Sequence, residues 1–224
     1  MIKIEKKILF IGKSNDIYSK QIIKILNKRF KFLEIFLCKD KNCKPNKKIL
    51  NWKGDLIFSF RSYFILSKKF INKAKICAIN FHPGPPNYRG IGCVNFALSN
   101  NENIYGCTAH LIDKKIDNGK IIDYKIFKIS RKNSIDQVLT KTYKTQVKQV
   151  SRVIEKLVKE NFKINKLYKN KKWSRKLYTR NELNDLYKID ININKFELQK
   201  KIRATKTKKF TPFISLFGYK FFLK

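Results

Sequence analysis

The chain has 224 residues, 43% of them hydrophobic and 13% aromatic, which excludes a disordered protein and allows one full domain with a sizeable core. The formal net charge of +36 is typical of proteins that bind polyanions, but the lysines are spread along the whole sequence beside many isoleucines and asparagines. We therefore favour compositional drift as its origin, with help in holding a phosphate-bearing substrate as the alternative.

Cysteine usage and hydropathy indicate a cytoplasmic protein. The five cysteines are scattered without a Cys-x-x-Cys pair, so the pattern favours free thiols over disulfides or a zinc site. No apolar run approaches the length of a membrane span. The first apolar run is short and leads to Gly12 without a small-residue cleavage site, so we expect no signal peptide and no membrane contact.

Strands and helices alternate from the first residues. Apolar runs predict strands at residues 7–12, 32–38, 55–60 and 76–81. Between them, residues 18–30 have helical spacing after Ser14 and Asn15, which are candidate caps, residues 39–48 are a predicted loop, and residues 67–74 are a short predicted helix. This alternation predicts an α/β fold with a mostly parallel sheet, whose ligands lie beyond the carboxyl ends of the strands.

The second half of the chain is less regular. It contains a predicted helix at 92–98, strands at 105–112 and 120–129, and a long amphipathic helix at 134–160. Residues 161–194 show no sustained period, and a short helix at 196–204 and a hairpin that turns near Gly218 follow. We therefore predict a main domain at residues 1–160 and a small C-terminal helix and hairpin extension at residues 161–224.

Asn80, His82 and Asp117 are the candidate reactive side chains. Asn80 and His82 stand two residues apart at a strand end, so their side chains leave on the same face. An amide donor, an imidazole and a carboxylate that orients it suit the addition of an amine to a carbonyl. The sequence has no Gly-x-Ser-x-Gly elbow, and the two histidines and Asp117 lack a tight metal-ligand spacing, so we expect direct transfer without a metal.

Four short motifs follow one another between residues 80 and 122. They are Asn80-Phe81-His82-Pro83, Pro86-Asn87-Tyr88-Arg89-Gly90, Gly106-Cys107-Thr108-Ala109-His110 and Asp117-Asn118-Gly119-Lys120-Ile121-Ile122. In this order they resemble the folate-dependent formyltransferase family, and the resemblance covers roughly residues 7–160. That family includes methionyl-tRNA formyltransferase, glycinamide ribonucleotide formyltransferase and the nucleotide-sugar N-formyltransferases. One departure is Gly84-Pro85-Pro86, where many members have Ser-Leu-Leu-Pro, which alters the shape of the pocket.

The resemblance implies a Rossmann-like catalytic domain that uses 10-formyltetrahydrofolate as co-substrate. By this match Asn80, His82 and Asp117 are the catalytic triad. Asn80 and His82 would polarise the formyl oxygen, and His82 with Asp117 would move protons between the attacking amine and the departing folate nitrogen.

The same resemblance assigns the binding residues around the triad. Those expected to contact the folate are Tyr63, Phe64, Ile65, Leu66, Asp113 and Ile116. Those expected to contact the acceptor are Pro85, Tyr88, Arg89 and Gly90. Two of these have structural alternatives, because Arg89 is as well suited to tie down its loop, and for Tyr88 packing is favoured over stacking on a ligand. We interpret His110 as a structural strand residue that at most supports the site, and Trp52 and Trp173 as packing residues.

The layout of a catalytic domain followed by a short helix and hairpin is most similar to the nucleotide-sugar enzymes. The resemblance therefore implies N-formylation of a nucleotide-linked amino sugar, and the hairpin is a candidate homodimer contact. Methionyl-tRNA is the alternative acceptor, which the charge of +36 would favour electrostatically, with glycinamide ribonucleotide as a further one. A basic RNA-binding protein on an inactive formyltransferase fold is the non-enzymatic alternative.

Overall fold

A six-stranded sheet forms the centre of the computed structural model, which describes residues 2–223. Its strand order is β2-β1-β3-β4-β6-β7, in which β1 to β4 are parallel while β6 and β7 are antiparallel to their neighbours. The strands are β1 Ile4–Lys13, β2 Phe30–Cys38, β3 Gly54–Phe60, β4 Ala74–His82, β6 Ile104–Leu111 and β7 Ile121–Lys128. A two-residue strand, β5 Arg89–Gly90, lies outside this sheet. The predicted α/β class with a mostly parallel sheet is confirmed.

Strands β1 and β3 are apolar because helices and loops cover both of their faces. Ile8, Leu9, Phe10 and Ile11 of β1 are fully buried, as are most residues of β3. Continuous burial of this kind is the pattern expected of parallel strands. It places the rigid part of the sheet directly beneath the end of β4, where Asn80 and His82 lie.

Of the helices in residues 2–223, five lie where the sequence predicts them, with shifts at their ends, and two short ones, at residues 47–50 and 180–187, were not predicted. The helices are α1 Ile17–Arg29, α2 Lys47–Leu50, α3 Lys68–Ile71, α4 Cys93–Ser99, α5 Ile135–Lys159, α6 Arg180–Tyr187 and α7 Lys195–Thr205. The cap of α1 is Asp16, whose carboxylate accepts from the Ser19 amide, so the expectation for Ser14 and Asn15 was wrong. The long helix α5 begins with a capping box between Ser134 and Gln137.

The C-terminal segment holds more regular structure than its sequence indicated. A 3₁₀ turn at Ile164–Leu167 precedes β8 Leu177–Tyr178, and β9 Lys188–Ile189 follows α6. The hairpin is formed by β10 Phe213–Leu216 and β11 Tyr219–Phe222, which confirms its prediction, and β9 extends it to three strands. Helix α6 was missed because only eight residues with one buried side chain, Leu183, give little periodic signal.

Several hydrogen bonds join the C-terminal segment to the main sheet domain. The Asn95 amide in α4 donates to the Ala204 carbonyl in α7, at 2.8 Å. Leu167 packs into the same core cluster as the sheet residues Phe58 and Phe81. The boundary near residue 160 remains a prediction. Among the helices of residues 2–223, none is long and apolar enough to cross a membrane.

Candidate active site

The structure brings the three predicted catalytic side chains together at the end of β4. His82 Nδ1 lies 3.2 Å from Asp117 Oδ2, and both side chains are less than a tenth exposed. Asn80 precedes them on the same face of the strand and is half-buried. The cluster therefore presents one accessible amide next to a buried imidazole–carboxylate pair.

His110 joins Asn80 to Asp117. Strand β6 pairs antiparallel with β4 so that His110 stands opposite Asn80, which brings the imidazole onto the face of the predicted catalytic side chains. Its Nε2 lies 3.2 Å from Asn80 Nδ2 and 3.3 Å from Asp117 Oδ1, and its Nδ1 lies 2.7 Å from the Leu111 carbonyl. Sequence reasoning left His110 outside the site because it did not predict that β6 pairs with β4.

Burial and charge act in opposite directions on the His82–Asp117 pair. Burial alone would lower the pKa of His82, but the Asp117 carboxylate outweighs it and raises that pKa well above its ordinary value of 6.5. Burial alone would raise the pKa of Asp117, but the charge and the hydrogen bond of His82 lower it from 3.8. His82 Nε2 faces the Tyr88 carbonyl at 2.7 Å, so both ring nitrogens face oxygen acceptors, as an imidazolium requires.

The loop between β6 and β7 delivers Asp117 to His82. Asp117 adopts a left-handed backbone with φ of +44°, and its Oδ2 accepts from the Gly90 amide at 2.9 Å. Two residues later, Gly119 packs directly against the Leu111 carbonyl, where any Cβ would overlap that oxygen. The tight return of the loop therefore depends on glycine at position 119.

Arg89 and Tyr88 are engaged by the protein itself. The Arg89 guanidinium donates to the carbonyls of Asp117 and Ser174, at 2.7 and 3.0 Å, and also contacts Ile116 and Asn118. Tyr88 is 4% exposed, and its hydroxyl donates to Glu102 at 2.9 Å. These contacts agree with the structural alternatives for both residues, and they bury the Tyr88 ring.

A C-terminal segment, residues 169–178, lies across the site loops, and we call it the strap. The Lys169 amide donates to the Ile121 carbonyl and the Ser174 amide to the Pro86 carbonyl, at 2.9 and 3.0 Å. At its end β8 pairs in parallel with β5. The strap thus connects the loop that follows His82 with the loop that carries Asp117.

Trp173 in the strap contacts both histidines. Its ring centroid lies 5.0 Å from that of His110 and 5.6 Å from that of His82, in edge-to-face geometry. Its indole nitrogen donates to the Gly119 carbonyl at 2.8 Å. The interpretation of Trp173 as a packing residue thus omitted its place at the site, and no local sequence signal predicts it.

The residues expected to bind folate lie on two loops beside this cluster. Tyr63 is 37% exposed and Ile65 85% exposed, whereas Phe64 and Leu66 pack inward against a core cluster beneath β1. On the loop after β6, Ile116 is 61% exposed. The Asp113 carboxylate accepts from the Lys115 amide and so shapes its own loop.

Pro85 is buried at the turn before Tyr88, where its carbonyl accepts the Tyr88 amide. Gly90, with φ of +87°, lies against the Tyr178 carbonyl, so both positions shape the loop through the backbone. Cys93 lies 3.6 Å from His82 Nε2, a contact that the sequence did not indicate. Within residues 2–223 no group of three or more His, Cys, Asp and Glu is placed to hold a metal ion.

Comparison with known proteins agrees with this geometry. A family model described as formyl transferase matches residues 37–154, more than half of the chain. The chain belongs to the formyl transferase family. Among curated relatives of this formyl transferase, the bifunctional polymyxin resistance protein ArnA of Wigglesworthia glossinidia brevipalpis is 39% identical over 83 residues, 37% of this chain and 13% of the relative. The chain covers between 6% and 50% of the length of the first curated relatives it matches.

Solved structures resemble the formyl transferase over nearly its whole length. A 4-N formyltransferase from Francisella tularensis has a TM-score of 0.78 at 20% identity, covering 97% of this chain and 96% of that one. An N-formyltransferase from Helicobacter canadensis, in complex with folinic acid and dTDP-3-aminofucose, has a TM-score of 0.67 at 23% identity, with 96% and 85% covered. At these identities the likeness establishes the fold, including that of the C-terminal segment.

Proposed function

We propose that this formyl transferase moves a formyl group from 10-formyltetrahydrofolate to the primary amine of a nucleotide-linked amino sugar. The observation that carries the proposal is the buried His82–Asp117 pair, 3.2 Å apart, beside the accessible amide of Asn80. An amide donor next to an imidazolium favours an oxygen on which negative charge develops.

Asn80 acts as the oxyanion donor. One N–H of its amide is directed to His110, at 3.2 Å, which fixes the plane of the side chain. The second N–H is then available to the formyl oxygen of the donor. Because His110 also contacts Asp117, the orientation of Asn80 is tied to that of the proton-transfer pair.

His82 carries the proton. Its raised pKa keeps it protonated at neutral pH, so its charge stabilises the oxyanion as the amine nitrogen bonds to the formyl carbon. His82 then gives its Nε2 proton, which faces the Tyr88 carbonyl in this conformation, to the departing folate nitrogen as the bond between that nitrogen and the formyl carbon breaks, and it recovers one from the amine. One proton thus moves from amine to folate, while Asp117 stays ionised throughout.

The loops beside the cluster suit a reduced folate. Exposed Tyr63, Ile65 and Ile116 offer apolar contacts for a flat ring, and backbone groups of the same loops can hydrogen-bond its edge. The donor supplies an activated formyl carbon when bound. The chain's own contribution is to orient that carbon toward Asn80 and His82.

The acceptor proposal rests on the extent of the structural likeness. The Francisella 4-N formyltransferase matches this chain through its C-terminal segment, and the Helicobacter relative was solved with an amino-sugar nucleotide. The charge of +36 favours methionyl-tRNA as a second candidate acceptor. It also keeps the RNA-binding alternative open to test.

The decisive experiment offers 10-formyltetrahydrofolate and a panel of amines to the purified protein. The panel contains nucleotide-linked 3-amino and 4-amino sugars, glycinamide ribonucleotide and methionyl-tRNA. We expect turnover with an amino sugar and none with the other amines. Turnover with methionyl-tRNA alone would replace the acceptor, and no turnover together with salt-sensitive tRNA binding would favour the RNA-binding alternative.

Replacing Trp173 with alanine should lower kcat about tenfold and leave the KM for the donor within about twofold. The indole packs against both imidazoles, and its loss would admit water that screens the Asp117 charge, so the pKa of His82, which that charge raises, should move back toward its ordinary value. Steady-state kinetics and the pH dependence of kcat measure both effects. Trp52→Phe, which alters a tryptophan packed in another cluster, is the control and should change neither.

A purely structural role for Trp173 predicts a different result. Trp173→Ala would then lower the melting temperature and the amount of active enzyme, while the pH profile of kcat would keep its midpoints. An unchanged midpoint would show that Trp173 does not control the proton of His82.

A further inference from the structure

A large cavity lies between the loop after His82 and the C-terminal segment. Its volume is about 700 Å³, within the range of ligand-binding pockets. Its floor is formed by Pro83, Gly90 and Cys93. Its walls come from α5, from α6 and from the hairpin β10–β11, so elements from the second half of the chain enclose it.

The floor of the cavity adjoins the catalytic histidine. Cys93 Sγ lies 3.6 Å from His82 Nε2, and Pro83 follows His82 directly in the sequence. A ligand that fills the cavity therefore has one end at Cys93, whose Sγ contacts the imidazole that carries the proton. The other end reaches side chains that contribute nothing to the catalytic cluster.

The charge at this outer end is uniformly positive. Arg180, Lys209 and Lys220 line the cavity, and no aspartate or glutamate of residues 2–223 lines it with them. In the same part of the chain, none of the three cations forms an ion pair with a carboxylate, and the Lys220 ammonium lies 4.7 Å from the centre of the Phe213 ring. An anion with more than one negative charge fits such a set.

Exposed aromatic rings stand beside these cations. Phe210 and Phe222 line the cavity although they are 63% and 61% exposed. Large apolar side chains exposed together mark a contact surface, and a phenyl ring offers a face on which a nucleobase can stack. A nucleoside diphosphate would thus find cations for its phosphates and aromatic rings for its base next to one another.

We propose that this cavity binds the nucleoside diphosphate of the acceptor, with the phosphates at Arg180, Lys209 and Lys220 and the base against Phe210 or Phe222. The sugar then spans from these groups to the floor, and its amine lies toward His82. This assignment rests on the proposed function. It makes the C-terminal segment the part of the chain that selects the nucleotide.

The test measures binding of UDP and of dTDP by calorimetry, apart from turnover. The triple variant Arg180→Ala, Lys209→Ala, Lys220→Ala should bind both at least about tenfold more weakly than the unaltered chain. Its matched control is Lys20→Ala, Lys24→Ala, Lys28→Ala on the exposed side of α1, which removes the same charge and should change affinity less than about twofold. Phe210→Ala with Phe222→Ala should weaken both nucleotides but leave inorganic pyrophosphate binding unchanged.

Equal affinity in the cavity triple and the α1 triple would overturn the assignment, as would an unaltered chain that binds neither UDP nor dTDP. Failure of the proposed function has a different signature. In that case the amine panel shows no amino-sugar turnover, while nucleotide binding still depends on the cavity triple. Donor binding, followed with folinic acid, should be the same in all variants because the cavity residues are not those expected to contact the folate.

Discussion

Asp117→Asn is expected to lower kcat for formyl transfer at least about a hundredfold while the chain still folds. The amide is the same size as the carboxylate and keeps an oxygen for the Gly90 amide, but it removes the negative charge beside His82. Without that charge, burial dominates and the pKa of His82 falls. His82 then loses the proton with which it stabilises the oxyanion.

The pH dependence of kcat checks this mechanism. In the unaltered enzyme the alkaline limb should report His82 well above 6.5, and in Asp117→Asn it should move to lower pH. An alkaline limb that stays in place would show that Asp117 does not control the proton of His82.

Stability should depend on pH through the same pair. The pKa of Asp117 is lower in the folded chain than its ordinary value of 3.8. Its contribution to the free energy of unfolding is therefore present above pH 3.8 and is lost as the pH falls through the folded pKa. The pKa of His82 is higher in the folded chain than its ordinary value of 6.5. Its contribution to the free energy of unfolding is therefore present below pH 6.5 and is lost as the pH rises through the folded pKa. In Asp117→Asn, the free energy of unfolding should therefore fall much less than in the unaltered chain as the pH drops below 3.8.

His82→Ala is expected to lower kcat about a thousandfold, the upper part of the range for a positioned acid and base. The variant removes both the charge beside the oxyanion and the carrier of the proton, and it leaves the Asp117 carboxylate buried beside His110 without the imidazolium that neutralises it. Initial rates with the acceptor identified by the amine panel measure the loss.

Cys93→Ala is the matched control for His82. Cys93 lies against the same imidazole at 3.6 Å but exchanges no proton in the mechanism, so kcat should change less than about tenfold. Near-normal turnover of His82→Ala, in protein shown to be folded by its melting transition, would contradict the assigned roles.

The strand that carries the proposed catalytic pair, Asn80 and His82, could be predicted from the sequence because its signals are local. A buried apolar run followed by Asn80, His82 and a proline-rich loop is written in consecutive residues, and the period of a strand places both side chains on one face. Asp117 lies 35 positions beyond His82, and the family motif was needed to join it to the pair.

His110 and Trp173 could not be found in this way, for two different reasons. His110 reaches the site through the register between β4 and β6, which strand propensity leaves undetermined. Trp173 lies in a stretch without helical or strand period, and its position depends on backbone hydrogen bonds to distant loops. The charge of Arg89 was evident, but only the carbonyls around it show that it holds the loop together.

The strap also sets the order in which the site can assemble. Its Ser174 carbonyl accepts a hydrogen bond from Arg89, which lies 85 positions earlier in the chain. Contacts between residues so far apart form late in folding because the intervening chain must first be ordered. A nascent chain can thus form the sheet through β7 while its histidines still lack their indole neighbour. Activity should appear during synthesis only after the strap has left the ribosome, later than the hydrophobic core beneath it.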